Sequence, residues 1–386
     1  MSKDLWIVII IIILTLTWYA AQRPTDFLTR PDVDLTKTID FETYYLTAQC
    51  LRAGTWPNAP FYFNPGITLL TAMVLATGAG TGELRLLHYT LVALTNALIY
   101  LVGKHTFDRV TGVIAAGALI FYPPMLLYAH LCEDNAPVNV MTALCIWFIL
   151  RLKARGHWAQ GAGAGLALGL ATVLRPNLLL FWLALAAWAA YFDRANWRRY
   201  ALLFALAVLP IAPFTIKNYL LGGRFVLIST NGAVNLWIGN NPAATGLYMA
   251  PPPATAYALA AREFIATQPL AWLGLMLRKI ALCWTWHYPA PYGLLNIFGN
   301  SLTTPLFLLA CCWYRRWRTA PAFLLLAFIL SYTAGLVLIH LGPMARLLLH
   351  VKPYVFLFAA FALRHAVAGL TPALSAPVEG APAGGA

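Results

Sequence analysis

The sequence predicts an all-α polytopic membrane protein with about ten transmembrane helices, and two observations predict it. First, 61% of the 386 residues are hydrophobic and only 10% are charged. A soluble domain of this size carries about 25% charged residues. Second, the apolar residues form long runs that are separated by short basic segments, as in a chain that crosses a bilayer repeatedly. No soluble fold hides so much apolar side chain, so lipid must be part of the solvent.

The basic residues set the expected topology. They lie in short clusters between apolar runs, at 104–109, 151–155, 194–199 and 315–318. This is the distribution of cytoplasmic loops under the positive-inside rule, so both termini are expected in the cytoplasm and the protein in the inner (plasma) membrane. The net charge of +13 does not indicate nucleic acid, because the basic residues do not share one face. The six cysteines form no CxxC pair, so nothing favours a zinc or redox motif.

The order of apolar and polar segments predicts one membrane domain over residues 1–370. Its first span, residues 5–21, is interpreted as an uncleaved signal anchor in preference to a cleaved signal peptide, since many spans follow. Two polar stretches, about 23–64 and 215–268, are expected outside, and an Ala/Pro/Gly-rich tail, 371–386, as a disordered cytoplasmic segment. Residues 65–77 and 269–286 are short or amphipathic, and the ten-span count takes both as interfacial. The other spans are expected near 86–102, 110–128, 138–149, 159–174, 178–191, 200–214, 294–313, 321–340 and 354–370.

The first polar stretch contains a candidate catalytic acid, Asp40. Asp40, Tyr44, Ala48, Leu51 and Gly54 are spaced so that they share one face of a helix, and Gly54 suits its C-terminal cap. A carboxylate held against the bilayer becomes more basic through desolvation, as a general base requires. A helix N-cap is an equally good explanation of Asp40 at this point.

A second acidic pair and three cations lie at predicted external membrane edges. Glu133 and Asp134 follow the third span, and alone they would be explained best as a water-facing turn. Arg175, Lys217 and Arg346 would suit a phosphate-bearing lipid substrate, although snorkelling towards headgroups explains each of them too.

These residues carry a resemblance to a known family. The first external loop and four later stretches, in the same order, are similar to the GT-C superfamily, in particular to its dolichyl-phosphate-mannose and aminoarabinose-transferase-like (PMT/ArnT-like) members. The matching stretches are Asp40-x-x-x-Tyr44 with Asn64-Pro65-Gly66; Leu131 to Asn135 with Pro137; Gly169 to Pro176; Pro213 to Tyr219 with Ser229-Thr230-Asn231-Gly232 and Gly239-Asn240-Asn241-Pro242; and Arg346 with Pro353. Lys217 departs from the pattern, since arginine is usual there.

The resemblance implies a GT-C fold with interfacial helices in the first and central external loops. It also implies an inverting glycosyltransferase that moves a sugar from a polyprenyl-phosphate carrier to an acceptor hydroxyl on the external (periplasmic) face. The acceptor would be a lipid, a glycan or a protein. No cofactor is indicated, although some members of the superfamily hold a divalent metal between their acidic motifs. The expected roles are catalysis by Asp40, Glu133 and Asp134, and substrate binding by Glu42, Tyr44, Tyr45, Arg175, Lys217, Asn218 and Arg346.

Two other classes of protein fit the composition. A transporter or flippase of a lipid-linked or small polar substrate would place ionisable groups near span midplanes, whereas the charged residues here gather at span edges. A non-catalytic binder of lipid-linked sugars would differ from an enzyme only in lacking turnover.

Overall fold

The protein is a bundle of α-helices in a computed structural model that describes residues 2–22, 39–253, 256–285, 301–339 and 345–374. The described residues form no β-strand. The predicted all-α architecture is confirmed. In chain order the helices are α1 (Lys3–Ala21), α2 (Ile39–Arg52), α3 (Pro65–Ala76), α4 (Thr81–Thr106), α5 (Arg109–Ile120), α6 (Pro123–His130), α7 (Asn135–Arg155), α8 (Trp158–Leu174), α9 (Leu179–Phe192), α10 (Trp197–Val208), α11 (Ala212–Gly222), α12 (Gly232–Gly239), α13 (Tyr257–Thr267), α14 (Pro269–Thr285), α15 (Thr303–Cys312), α16 (Tyr314–Trp317), α17 (Ala320–Ile339), α18 (Ala345–Leu348) and α19 (Lys352–Leu374).

Helix length and hydropathy identify candidate spans directly. Among the described residues, α1, α4, α7 and α17 are long and apolar enough to cross a membrane, and counting each bent helix pair as one span gives up to 6. The helix α3 has 12 residues, so it extends about 18 Å and is too short to cross the hydrocarbon core by itself. The ends of α7, α8, α17 and α19 lie within a few residues of the predicted spans. The helix α19 continues to Leu374, past the predicted boundary at residue 370, and residues 375–386 of the predicted tail lie outside the described residues.

One predicted span is broken. The apolar run 110–128 forms two helices, α5 and α6, which meet at an angle of 53°. Tyr122 is extended, with φ −83° and ψ 104°, and Pro123 and Pro124 follow it. Proline disfavours a helical conformation in the preceding residue and supplies no N–H to the helix, which explains why the predicted span is bent at this position. The bend redirects the chain before the acidic loop at 131–134.

Glycine allows two helices to pack backbone against backbone. Gly161, Gly165 and Gly169 recur every fourth residue on α8 and face α10. A Cβ atom at Gly165 would lie 2.3 Å from the carbonyl oxygen of Leu203, and one at Gly169 would lie 2.3 Å from that of Ala207. Such small-residue faces are the usual means by which membrane helices approach closely. This contact fixes the position of α8, whose last turn precedes Arg175.

Ion pairs connect α1, α4, α5 and α19 at one end of the bundle. Asp4 of α1 contacts Lys104 of α4 and pairs with Arg109 of α5 at 3.1 Å. Asp108, before α5, pairs with Arg364 of α19. These pairs join four helices, so Lys104, Arg109 and Arg364 lie at one end of the bundle. The acidic loop at 131–134 lies at the other end, because α7 runs between them.

We expect Gly165→Ala to lower the free energy of unfolding by about 1–3 kcal/mol, because the added methyl group collides with a backbone oxygen that cannot move independently. Thermal denaturation of the purified protein in detergent would measure the change. Gly117→Ala is the matched control, since a Cβ atom there meets nothing within 4 Å. It should be neutral or stabilising by about 0.5–1 kcal/mol. Equal effects of the two substitutions would contradict the packing argument.

Candidate active site

The acidic loop between α6 and α7 is buried. Glu133 and Asp134 are each 4% exposed, and Asn135 begins α7. Cys132 has φ +53°, a left-handed conformation that is uncommon outside glycine and that turns the chain sharply before the two acids. The explanation of this pair as a water-facing turn was therefore wrong. Two carboxyl groups are held in the protein interior at the N-terminal end of a long helix, where the helix dipole favours negative charge.

Asp134 forms a buried ion pair with Arg175. The distance between Arg175 Nη1 and Asp134 Oδ2 is 3.1 Å, and the two side chains are 14% and 5% exposed. Arg175 directly follows α8 and precedes Pro176, which explains its extended backbone, φ −146° and ψ 93°. Burying either charge alone would cost several kcal/mol, so each partner stabilises the other in this position. The structure thus brings together two of the residues that the sequence predicted.

A tyrosine and a histidine extend this polar cluster. Tyr332 of α17 is fully buried and interacts electrostatically with both Arg175 and Asp134. The centres of the His350 and Tyr332 rings are 5.4 Å apart. The Nδ1 atom of His350 is 3.1 Å from Asn139 Oδ1 on α7. Tyr332, His350 and Asn139 were not among the residues predicted from the sequence. The available signal was polar side chains within or beside apolar spans, which in membrane proteins often indicate a functional site.

Helix α2 lies against the acidic loop. Phe41, Leu84 and Cys132 form one buried hydrophobic cluster, so the first turn of α2 lies beside residues 131–134. The backbone of Asp40 belongs to this turn, but its side chain lies outside the described residues. Gly54 has φ +78° just after the end of α2, as expected for a C-terminal cap.

The other α2 candidates differ in their surroundings. Glu42 is exposed, whereas Tyr44 is buried with its ring 5.7 Å from that of Phe63. Tyr45 is stacked on Phe41 at 5.7 Å. Tyr44 and Tyr45 therefore help to fix α2 in position, and substrate binding by these residues stays a prediction.

A close backbone contact joins the first loop to Arg175. A Cβ atom at Gly66 would lie 3.0 Å from the backbone nitrogen of Leu174, the residue before Arg175. Only glycine permits this approach without displacing Leu174. The Asn64-Pro65-Gly66 motif thus places α3 against the end of α8. Because α2 packs on α3, its position is set by the same contact.

Lys217 and Asn218 contact the first loop as well. Lys217 Nζ donates to the Ala59 carbonyl oxygen at 3.2 Å and lies 4.2 Å from the centre of the Phe61 ring. Desolvation lowers the pKa of this lysine. The buried Asn218 accepts from the Phe61 N–H at 3.1 Å and donates to the Ile228 carbonyl oxygen at 2.9 Å. Both residues hold the first and central loops together, and phosphate binding by Lys217 stays a prediction. The side chain of Arg346 lies outside the described residues.

The central loop is tied to two helices by Asn240. Its amide nitrogen donates to the Leu338 carbonyl oxygen of α17 at 3.0 Å, and its oxygen accepts from Trp272 Nε1 of α14 at 2.9 Å. The Ser229 hydroxyl donates to Asn64 Oδ1 at 3.1 Å. The asparagine-rich motifs at 229–242 therefore position α14 and the first loop relative to α17.

Apolar residues surround a cavity of about 510 Å³ near the bend between α5 and α6. Trp18 of α1, Tyr122 at the bend, Leu306 of α15 and Phe356 of α19 are among its lining residues. The cavity is large enough for part of a hydrocarbon chain. Tyr122 directly precedes α6, and the acidic loop directly follows it. The cavity and the acidic loop therefore lie at the two ends of this short helix.

No three His, Cys, Asp or Glu side chains of the described residues are grouped so that they could hold a metal ion. The acidic loop supplies two carboxylates, and that of Asp134 is already paired with Arg175. A divalent metal therefore stays a prediction that depends on ligands outside the described residues.

The fold of this chain is similar to that of membrane glycosyltransferases, and a family model matches part of the sequence. Residues 59–216 match the family model described as dolichyl-phosphate-mannose-protein mannosyltransferase. No curated protein sequence matches the chain. The predicted resemblance is confirmed at the level of the fold.

Solved structures of two glycosyltransferases are similar to this chain. One is the oligosaccharyltransferase AglB of Archaeoglobus fulgidus in complex with an inhibitory peptide and dolichol-phosphate, with a TM-score of 0.57, 15% identity, and 98% of this chain and 52% of that chain covered. The other is ArnT of Cupriavidus metallidurans bound to undecaprenyl phosphate, with a TM-score of 0.61, 14% identity, and 94% and 61% covered. A further structure of the A. fulgidus enzyme contains Zn and sulfate. The chain spans between about half and three-fifths of the length of these proteins.

We expect Arg175→Gln to lower the free energy of unfolding by about 3–5 kcal/mol, because it leaves the Asp134 carboxylate buried without its cation. The double substitution Arg175→Gln with Asp134→Asn should cost less than the single one, since both charges are removed together. Thermal denaturation of the wild type, the two single variants Arg175→Gln and Asp134→Asn, and the double variant would give the coupling free energy. Arg262→Gln, at an exposed position of α13, is the control and should be neutral. Additive effects of the two substitutions would contradict the ion pair.

Proposed function

We propose that this protein is an inverting glycosyltransferase that moves a sugar from a polyprenyl-phosphate carrier to an acceptor hydroxyl at the external membrane face. The observation that carries the proposal is the buried Asp134–Arg175 pair, which lies beside the first turn of α2 at one end of the bundle. Carboxylates and cations are placed together there, away from the middle of the spans. That position favours an enzyme over a transporter, which would place ionisable groups near the midplane.

The donor fits the surroundings of this site. The related AglB and ArnT structures hold dolichol-phosphate and undecaprenyl phosphate. In this chain the apolar cavity lined by Trp18 and Phe356 would hold part of an isoprenoid chain, and α6 leads from it to the acidic loop. The carrier phosphate would then lie at the end of the bundle that holds the acidic loop.

The chemistry needs a base and a group of cations. Asp40 removes the proton of the acceptor hydroxyl, and the resulting oxygen attacks the anomeric carbon of the sugar. The bond between that carbon and the phosphate oxygen breaks, and the electron pair leaves with the phosphate. Attack opposite the leaving group inverts the configuration. A phosphate is already a good leaving group, so stabilisation of its charge by Arg175, Lys217 and Arg346 suffices without a general acid.

The acidic pair has a supporting role in this proposal. Asp134 orients Arg175 through their 3.1 Å contact, and Glu133, buried beside it, positions the acceptor. Asp40 lies in the first turn of the helix that packs on this loop. The basic end of the bundle faces the cytoplasm, together with both termini, so the site faces the opposite side.

We expect Asp40→Asn to lower turnover about 10²–10⁴-fold, because asparagine keeps the size of the side chain and can cap a helix but cannot accept the proton. Turnover is measured as the release of polyprenyl phosphate from sugar-linked carrier lipid that is extracted from cells lacking the gene. Binding of the donor and the melting temperature should be retained.

Glu263→Gln is the control for loss of a negative charge, since Glu263 is exposed on α13, and its turnover should be normal. If Asp40 only caps α2, Asp40→Asn would be nearly silent and Asp40→Ala would cost about 1 kcal/mol of stability. Near-normal turnover of Asp40→Asn would therefore remove this residue from the mechanism. Wild-type protein that binds the donor without any turnover would show a binding protein instead of an enzyme.

A further inference from the structure

A fully buried turn joins α18 to α19. Only three residues, Leu349 to Val351, lie between these helices, and Leu349 and His350 have none of their surface exposed. Helix α18 contains the backbone of Arg346, one of the cations that the proposed function assigns to the leaving phosphate. It lies against α6, the helix that ends at the acidic loop. The position of the turn therefore sets the position of the Arg346 backbone relative to that loop.

One side chain of α7 holds this turn through both ends of its amide. Asn139 Nδ2 donates to the Leu349 carbonyl oxygen at 3.3 Å, and Asn139 Oδ1 lies 3.1 Å from His350 Nδ1. Because the amide nitrogen is the donor to the carbonyl, the amide oxygen must accept, so His350 carries a proton on Nδ1. Two consecutive residues of the turn are thus fixed by an asparagine that is 1% exposed.

The same asparagine is connected to α6 and, through a threonine, to α19. Asn139 Nδ2 also lies 3.5 Å from Met125 Sδ on α6. The Thr142 hydroxyl donates to the Asn139 carbonyl oxygen at 3.1 Å and accepts from the Tyr354 hydroxyl of α19 at 3.4 Å. A buried amide costs free energy unless its polar atoms are satisfied, and a satisfied network specifies one arrangement of the helices. The asparagine therefore fixes how α6, α7 and the turn before α19 are placed relative to one another.

The turn is also connected to Arg175. The His350 ring packs edge-to-face against the Tyr332 ring, with 5.4 Å between their centres. Tyr332 interacts electrostatically with Arg175. A continuous series of contacts thus runs from Asn139 through His350 and Tyr332 to Arg175. It connects the turn that follows the Arg346 helix with the arginine of the buried ion pair.

We propose that Asn139 and His350 are positioning residues that set the placement of Arg346 relative to Arg175. This inference rests on the proposed function. A leaving phosphate is stabilised only by donors held where its charge develops, so the spacing of the cations matters as well as their charge. A displacement of about 1 Å in a positioned group can lower a rate about 10²-fold. Neither positioning residue has to touch the substrate for this effect.

The test is a double-mutant cycle between Asn139 and Arg346, with turnover of the full-length protein in detergent as the readout. Turnover is the release of polyprenyl phosphate from carrier lipid that is extracted from cells lacking the gene. We expect Asn139→Leu to lower the rate at limiting donor about 10- to 100-fold when Arg346 is present. In an Arg346→Gln background the same substitution should lower it no more than about 2-fold, since the cation that would be misplaced is already absent.

Asn96→Leu is the matched control for loss of a buried amide. Asn96 of α4 is fully buried and donates to Thr15 Oγ1 of α1 at 3.3 Å, so leucine removes an interhelical hydrogen bond there too. The melting temperatures of Asn139→Leu and Asn96→Leu should fall by similar amounts. Turnover of Asn96→Leu, measured well below both melting temperatures, should be normal. An equal loss of turnover in the two variants would reduce the effect of Asn139 to stability and overturn the inference.

Substitutions of His350 test the hydrogen bond itself. His350→Asn keeps an N–H donor at the same number of bonds from the backbone as Nδ1, whereas His350→Leu removes the donor. Both substitutions lose the ring contact with Tyr332, so the comparison isolates the bond to Asn139. We expect the asparagine variant to turn over about 10-fold faster than the leucine variant. Equal turnover of the two folded proteins would count against the positioning role, and this pair decides the matter if Asn139→Leu does not fold.

The outcomes separate this inference from the proposed function. Independent, additive losses from Asn139→Leu and Arg346→Gln would overturn the inference while leaving the proposed function intact. Normal turnover of Arg346→Gln would remove Arg346 from the phosphate site, and the inference with it. Absence of turnover by the wild-type protein would instead contradict the proposed function itself, on which the inference rests.

Discussion

The buried contact between Asp134 and Arg175 is the interaction on which the organisation of the site depends. Each residue would be unstable alone in an apolar bundle, so their pairing fixes the start of α7 relative to the end of α8. Tyr332 brings α17 to the same point. Because three helices are placed by one polar cluster, the loop at 131–134 and the first turn of α2 have a defined position beside it. In the proposed function, the charges that stabilise the fold also take part in the chemistry.

Close backbone contacts make this arrangement possible. The glycines of α8 let α10 approach to direct backbone contact, and Gly66 lets α3 approach Leu174, the residue before Arg175. Without a strong hydrophobic driving force between helices in lipid, such packing and interhelical hydrogen bonds supply much of the stability. Asn240 and Asn218 add hydrogen bonds between the loops and the helices. The loops that would bind substrate are thus attached to rigid elements.

The sequence predicted the helical membrane fold well, because long apolar runs have few alternatives and helix spacing is local information. It also predicted Gly54 as the cap of α2, and it selected Asp134 and Arg175 as site residues. It did not predict the bend at Tyr122, whose two prolines were the available signal. It took the acidic loop alone for a solvated turn, because burial depends on contacts between distant segments. Tyr332 and His350 were missed for the same reason: each is isolated in the sequence, and only the packing of α7, α17 and the turn before α19 brings them together.

The central claim is that this chain transfers a sugar from a polyprenyl-phosphate carrier. Mass spectrometry of the lipids and glycans of cells with and without the gene tests it most directly. We expect cells lacking the gene to accumulate a polyprenyl-phosphate-linked sugar and to lose that sugar from a lipid, glycan or protein. A copy of the gene encoding Asp40→Asn should not restore the product. Unchanged carrier lipids together with unchanged glycans would contradict the account.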